Sequence, residues 1–158
     1  MEIQREQFSA GEIAQALRID ANLLQNWLRR SNLEPVPSVG GRRLFSLKAA
    51  VELAILKELN LYGMGPVQAG DVIQRLCRKF TLDSLDGGEA LSFRPRGGNS
   101  TEDVERTDYG FHLSRDGRLS DLGGEQSALT LQIGILGNNV RRELERILMQ
   151  RGEDSRAV

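Results

Sequence analysis

Side chains that can hydrogen-bond to flat molecular edges are concentrated in two short stretches of the chain. One stretch spans residues 22–30, and the other is the basic pair Arg42 and Arg43. Asparagine and glutamine can bond the edge of adenine through two atoms, and arginine can do the same with guanine or with a phosphate. These residue types are therefore suited to contact with double-stranded DNA. The candidate contact residues are Asn22, Gln25, Asn26, Arg29, Arg30, Arg42, Arg43 and Lys48.

Two roles are expected within this candidate set. Gln25 and Asn26 are the expected readers of base edges, because amides can discriminate between base pairs in the major groove. The basic members are expected to bind phosphates, which sets the register on DNA and makes binding sensitive to salt. The alternative is a solvated helix face without a ligand, and the order of the surrounding elements favours the DNA interpretation.

Residues for catalysis or metal binding are scarce. The chain has one histidine, His112, and one cysteine, Cys77, and neither has a neighbouring ligand of the kind that a metal site needs. The sequence shows no pair of carboxylates in an apolar setting, no Ser/His/Asp arrangement and no glycine-rich phosphate loop. We therefore expect no catalytic residues, no enzymatic activity, no metal and no cofactor. Cys77 is expected to be an inert buried thiol, and Trp27 a core residue.

The charge of the chain is divided unevenly along its length. The 158 residues are 39% hydrophobic and 27% charged, with a formal net charge of -1. Residues 1–80 hold 11 basic and 8 acidic side chains, whereas residues 81–158 hold 10 and 14. The small total therefore hides a basic half, in which the candidate set lies. The acidic half should reduce non-specific binding to DNA.

Two sequence features bear on where the protein works. No run of about 18 apolar residues is present, so neither a membrane span nor a membrane partner is expected. The first residues of the chain lack the apolar segment of a secretory signal. Together with the single cysteine, which cannot form an intramolecular disulfide, these features predict a cytoplasmic protein, associated with the nucleoid.

Two short helices are predicted to position the first stretch. Ser9 and Glu12 have the spacing of a capping box, so a helix should begin at Ala10. Asp20 is a good N-cap for a second helix over about residues 21–30. The expected buried positions of the two helices are Ile13, Ala14, Leu17, Leu23, Leu24, Trp27 and Leu28.

A hairpin and two further helices are predicted to follow. Two extended arms over residues 39–45 flank a Gly-Gly turn, which places the basic pair near its tip. A helix that is apolar nearly all round should span about residues 47–61 and lie at the centre of the core. A fourth helix should span about residues 66–80, because the proline at its start suits a first turn.

Three motifs follow one another in this half of the chain: FSAGEIA at residues 8–14, GRRLFS at 41–46 and LNLYGMG at 59–65. Together with the order of elements they resemble a winged helix-turn-helix, and more closely the MerR-like DNA-binding domain, over about residues 7–78. The resemblance implies that the second helix enters the major groove and that the hairpin, the wing, contacts the backbone or the minor groove. Arg18 stands where the turn between the helices usually has glycine, so a left-handed backbone is expected there.

Residues 81–158 carry no recognised motif and are expected to form a small α+β module. Its role is left open between dimerisation and the binding of a small effector or of RNA polymerase. Asn138 or Asn139 is expected to cap a terminal helix. The other predicted parts are short strands at residues 91–93, 109–113 and 118–119, a polar loop at 94–108, a turn at 116–117 and a strand over 128–136.

The sequence as a whole predicts an α+β protein of two domains. The first, over residues 1–80, is a winged helix-turn-helix of four helices and a small hairpin; the second is the α+β module over 81–158. The expected function is that of a sequence-specific DNA-binding transcription regulator, bacterial or phage-derived, acting as a homodimer. The alternatives are an excisionase-like factor that bends DNA in recombination and a protein-interaction adaptor. The second module favours the regulator, because such bending factors are little more than the winged domain.

Overall fold

The computed structural model describes residues 7–31, 33, 38–39, 41–77, 81–82, 90–96, 108–114 and 129–154. Within these residues the chain is mostly helical, with five helices and two small antiparallel sheets, which confirms the α+β class. The helices are α1 (Ala10–Leu17), α2 (Ala21–Arg30), α3 (Leu47–Leu61), α4 (Pro66–Cys77) and α5 (Ile133–Asp154). The strands are β1 (Phe8–Ser9), β2 (Ser38–Val39), β3 (Arg42–Phe45), β4 (Ala90–Arg96), β5 (Asp108–Ser114) and β6 (Leu129–Leu131).

Helix α1 begins at the predicted capping box. The Ser9 amide donates to Oε2 of Glu12 over 2.7 Å, and the Glu12 amide donates to Oγ of Ser9 over 3.3 Å. The helix ends at Arg18, whose φ of 52° and ψ of 50° confirm the expected left-handed backbone. A non-glycine residue pays roughly 1–2 kcal/mol for this conformation. Helix α2 follows its predicted N-cap, Asp20, whose Oδ1 accepts from the Asn22 amide at 2.7 Å.

Helix α3 lies at the centre of the core, as its apolar sequence predicts. Eight of its fifteen residues are buried, and it packs against α4, α5 and β3. Helix α2 joins this core through Leu24 and Trp27, and the 3% exposure of Trp27 confirms its predicted core position. The prediction for Leu23 is wrong, since this side chain is 39% exposed. Leu24 and Trp27 occupy the inward side of α2, and Leu28 is half-buried beside them.

Strands β4 and β5 pair antiparallel over their whole lengths, from Ala90 opposite Ser114 to Arg96 opposite Asp108. The predicted strands at 91–93 and 109–113 are thereby confirmed. The predicted loop at 94–108 is too long, because its first three residues belong to β4 and its last residue belongs to β5. The parts of these predictions that lie outside the described residues are residue 40 of the Gly-Gly turn, 78–80, 97–107, the turn at 116–117, the strand at 118–119 and residue 128.

The start of α5 corrects the prediction for residues 128–136. That segment is predicted as one strand, whereas β6 ends at Leu131 and α5 begins at Ile133, ahead of the predicted cap at Asn138 or Asn139. Alternating apolar residues fit a strand as far as Leu131. Beyond it the buried positions recur every three or four residues, at 133 and 134, 137, 140, 144, and 147 and 148. A helix that buries one face produces this spacing.

Helix α5 packs against α1 and α3, and its buried side chains belong to the same hydrophobic cluster as those of α1 to α4. The core therefore continues past residue 80, where the sequence predicts a domain division; that division stays a prediction. Two ion pairs connect α5 to α1. Arg151 donates to Oε1 of Glu12, with its Nε at 3.1 Å, and Nη2 of Arg18 lies 3.7 Å from Oε1 of Glu143. Glu12 thus caps α1 with one oxygen and holds α5 with the other.

We expect Glu12→Gln to destabilise the protein in a pH-dependent way. Burial raises the pKa of Glu12, but hydrogen bonds from Arg151 and Ser9 more than offset this, so its pKa lies below the ordinary value of 4.5. A carboxylate with a lowered pKa stabilises the fold above its ordinary pKa and loses that effect as the pH falls through the lowered one. Urea unfolding should show wild type to be the more stable at pH 7, and the difference should shrink as the pH falls below 4.5.

Glutamine can still accept the hydrogen bonds of the cap, so Glu12→Gln removes the charge and keeps the capping box. The matched control is Glu153→Gln, which neutralises an exposed carboxylate on α5 and should follow wild type at every pH. A stability difference between wild type and Glu12→Gln that is constant with pH would contradict the ion pair with Arg151.

We expect Arg18→Gly to raise the free energy of unfolding by about 0.5–1 kcal/mol. Glycine relieves the left-handed strain of the folded state. Part of this stabilisation is lost, because glycine also raises the conformational entropy of the unfolded chain. The Arg18 side chain is 82% exposed, so the loss of its ion pair with Glu143 should cost little. Chemical denaturation measures the change, with Arg18→Lys as the control that keeps both charge and strain. A destabilised Arg18→Gly would mean that the ion pair outweighs the strain.

Candidate nucleic-acid interface

The outer face of α2 carries the candidate residues of the first stretch. Leu24 and Trp27 are buried and turn one side of the helix toward the core. With 3.6 residues per turn, the positions half a turn away must face solvent. The packing of these two residues therefore decides which side chains α2 presents. The exposed candidates are Asn22, Asn26, Arg29 and Arg30, and Gln25 is half-buried.

Strand β3 carries the second stretch. It pairs with β1, where Phe8 lies opposite Phe45 and both side chains are fully buried, and its other end pairs with β2. The two phenylalanines anchor one end of β3 in the core, while Arg42 and Arg43 at the other end are exposed. Gly41, with a φ of 76°, makes the tight turn before the strand. The predicted hairpin is thus fixed at its base and basic near its tip.

A hydrogen bond connects the two stretches. Nη1 of Arg43 donates to Oε1 of Gln25 over 3.3 Å, although 18 residues separate them along the chain. The guanidinium that is expected to bind phosphate therefore lies beside the amide that is expected to read a base. The two stretches form one region, the α2–β3 surface. Its members are Asn22, Leu23, Gln25, Asn26, Arg29, Arg30, Arg42 and Arg43.

The α2–β3 surface is basic. Its charged members are four arginines, and Asp20, whose Oδ1 accepts from the Asn22 amide, is an acidic neighbour. A positive excess of this kind attracts a polyanion over a distance of several ångströms. Between the arginines lie three neutral amides, which can both donate and accept hydrogen bonds. The surface combines long-range attraction with groups that can recognise a base at close range.

Lys48 takes part in contacts within the fold. It lies in the first turn of α3, is half-buried, and its Nζ is 3.8 Å from Oε1 of Glu52. The same oxygen of Glu52 accepts a hydrogen bond from Sγ of Cys77 over 2.8 Å. The Cys77 thiol therefore has a hydrogen-bond partner on α3. Cys77 is half-buried rather than buried, and the role of Lys48 in DNA binding stays a prediction.

Leu23 is the member of the α2–β3 surface that the sequence pattern assigns to the core. A signal against burial is present in the sequence, because Leu23 and Leu24 are adjacent and adjacent side chains on a helix point in directions about 100° apart. Both cannot face the centre of the core. Trp27 lies about one turn after each of them, and of the two leucines only Leu24 is buried.

A cavity of about 470 Å³ lies between α1, α3 and α5, on residues that the α2–β3 surface does not include. Arg18, Lys57 and Glu143 are among the charged residues that line it, together with apolar side chains such as Leu136. Its volume falls within the range of roughly 300–1,000 Å³ that is usual for small-molecule sites. There is therefore room for the small effector that the sequence leaves open.

The described residues contain no group of three or more histidine, cysteine, aspartate or glutamate side chains that could hold a metal ion. No helix in this described part of the chain is both long and apolar enough to cross a membrane. A scan against protein-family models found no match, and a search of curated proteins found no similar sequence. The resemblance to MerR-like domains therefore rests on the three motifs.

We expect the α2–β3 surface to contribute little to stability, in contrast to Trp27. Gln25→Ala and Arg43→Ala each remove an exposed hydrogen bond and should change the free energy of unfolding by less than about 0.5 kcal/mol. Trp27→Ala empties a core position and should cost about 3–5 kcal/mol. Chemical denaturation of the three variants gives the comparison. If either surface variant lowers the free energy of unfolding by more than about 1 kcal/mol, the hydrogen bond between Arg43 and Gln25 contributes to the stability of the fold.

Proposed function

We propose that this protein is a sequence-specific DNA-binding transcription regulator of the winged helix-turn-helix type. In this proposal α1 and α2 form the helix-turn-helix, α2 enters the major groove, and the hairpin of β2 and β3 is the wing. The observation that carries it is the hydrogen bond from Arg43 to Gln25. It joins a helix face of base-reading residue types to a hairpin of phosphate-binding ones. A polar helix face that is merely solvated does not require this juxtaposition.

The dimensions of α2 support the proposal. Its ten residues span about 15 Å, and a helix with its side chains is about 10–12 Å across, close to the width of about 12 Å of the major groove. Asn22, Gln25 and Asn26 lie in the first turns of α2, from which recognition helices contact base edges. Arg29 and Arg30 end the helix and are suited to the phosphates at the border of the groove.

A single helix of this length contacts only a few base pairs, so we propose that the protein acts as a homodimer. Two copies of α2 related by a two-fold axis would read half-sites about one helical turn, roughly 10 base pairs, apart. On this proposal the protein works in the cytoplasm, on the nucleoid, and RNA polymerase is a further candidate partner. The proposed function requires no catalytic residue, because the binding of DNA is sufficient to regulate transcription.

Selection from a pool of random DNA duplexes tests the proposal. We expect one enriched sequence with two half-sites whose centres lie roughly 10 base pairs apart. Arg42→Ala/Arg43→Ala should bind the enriched duplex about tenfold more weakly near physiological salt. The slope of log K against log salt concentration should shrink by about 3.6, because the dimer loses four phosphate contacts, two from each protomer. Gel shifts over a series of salt concentrations measure both quantities.

The matched control is Arg142→Ala/Arg146→Ala, which removes the same charge from exposed positions on α5. It should bind as wild type does, and sedimentation should show the same oligomeric state for all three proteins. The absence of any enriched sequence would reject the proposal. Equal binding by the two double variants would show that the hairpin does not contact DNA. Strong bending of any duplex, measured by energy transfer between its ends, would favour the excisionase-like alternative.

A further inference from the structure

Leu23 is an exposed apolar side chain among polar ones on the α2–β3 surface. It is 39% exposed, whereas Leu24 is fully buried. A single exposed leucine is common in proteins and means little by itself. Leu23, however, lies about one helical turn before Asn26, so it stands next to one of the amides that are expected to face DNA.

The place of Leu23 along α2 adds to this observation. It is the third residue of the helix, whereas Arg29 and Arg30 are the last two. The first residues of a recognition helix reach base edges, and its far end lies closer to the sugar–phosphate backbone. Leu23 therefore lies at the end of α2 at which bases are contacted.

The chemistry of leucine restricts what it can recognise there. The side chain of leucine forms no hydrogen bonds. Against a polar base edge it would displace water from donors and acceptors without offering them new hydrogen bonds. In the major groove, thymine presents a C5 methyl group beside its acceptor, and this methyl group is the usual target of apolar side chains. A protein partner fits less well, because one leucine between amides and arginines lacks the apolar centre of a protein interface.

We propose that Leu23 selects thymine at one position of each half-site by packing against the C5 methyl group. The inference rests on the proposed function, since it requires α2 to lie in the major groove. Asn26 lies one turn further along the same side of α2, so the base pair that it reads should neighbour this thymine. Adenine is the base that asparagine bonds through two atoms. The expected half-site therefore contains neighbouring A·T pairs.

The test uses the full chain and the duplex enriched from random DNA. Each thymine of one half-site is replaced in turn by uracil, which pairs in the same way but lacks the methyl group. For wild type, uracil at one thymine should weaken binding about three- to fivefold, as expected for one buried methyl group. Leu23→Ala should bind the thymine duplex about 9- to 25-fold more weakly, the square of this factor, because both protomers of the dimer lose the contact. It should bind the thymine and uracil duplexes equally well.

The matched control is Leu61→Ala, which shortens an exposed leucine on α3 and should discriminate thymine from uracil as wild type does. Leu23→Ala should keep the wild-type melting temperature to within a few degrees, because alanine favours a helix. If wild type binds its enriched duplex but no uracil weakens it, or if Leu23→Ala still discriminates at that thymine, the role of Leu23 is wrong and the regulator proposal stands. An enriched half-site without thymine would likewise reject the role of Leu23 and leave the regulator proposal in place. If no duplex is enriched, both proposals are wrong.

Discussion

The burial of α3 is the constraint on which the rest of the structure depends. Eight of its fifteen residues are buried and only two, Asn60 and Leu61, are exposed, so other elements must cover it. Helices α4 and α5 and strand β3 pack directly against it. Removing this apolar surface from water is the main source of stability for a domain of this kind.

The same packing arranges the α2–β3 surface. Leu24 and Trp27 turn one side of α2 inward, and Phe45 holds the end of β3 in the core, so the amide face and the basic hairpin are adjacent before any ligand arrives. Side chains that are already in place lose less conformational freedom on binding. A DNA reader benefits from this arrangement, because the distance between base contacts and phosphate contacts then matches one register on the duplex.

Much of the fold could be predicted from local patterns. The capping box depends on Ser9 and Glu12, three positions apart, so the sequence is sufficient to locate it, whereas the left-handed Arg18 is expected only from the resemblance. Residues 128–136 show where such patterns fail. A few alternating apolar residues satisfy the period of a strand, while the helical period becomes visible only when the buried positions further along α5 are included.

The sequence by itself determined the helices and caps of the first half and the residue types of the candidate surface. Only the tertiary structure decided which of these side chains meet. Arg43 reaches Gln25 across 18 residues, and Arg151 reaches Glu12 across 139. No local period encodes such contacts, because they follow from how the elements pack around α3. The exposure of Leu23 has the same origin, since the width of a buried stripe depends on what covers the helix.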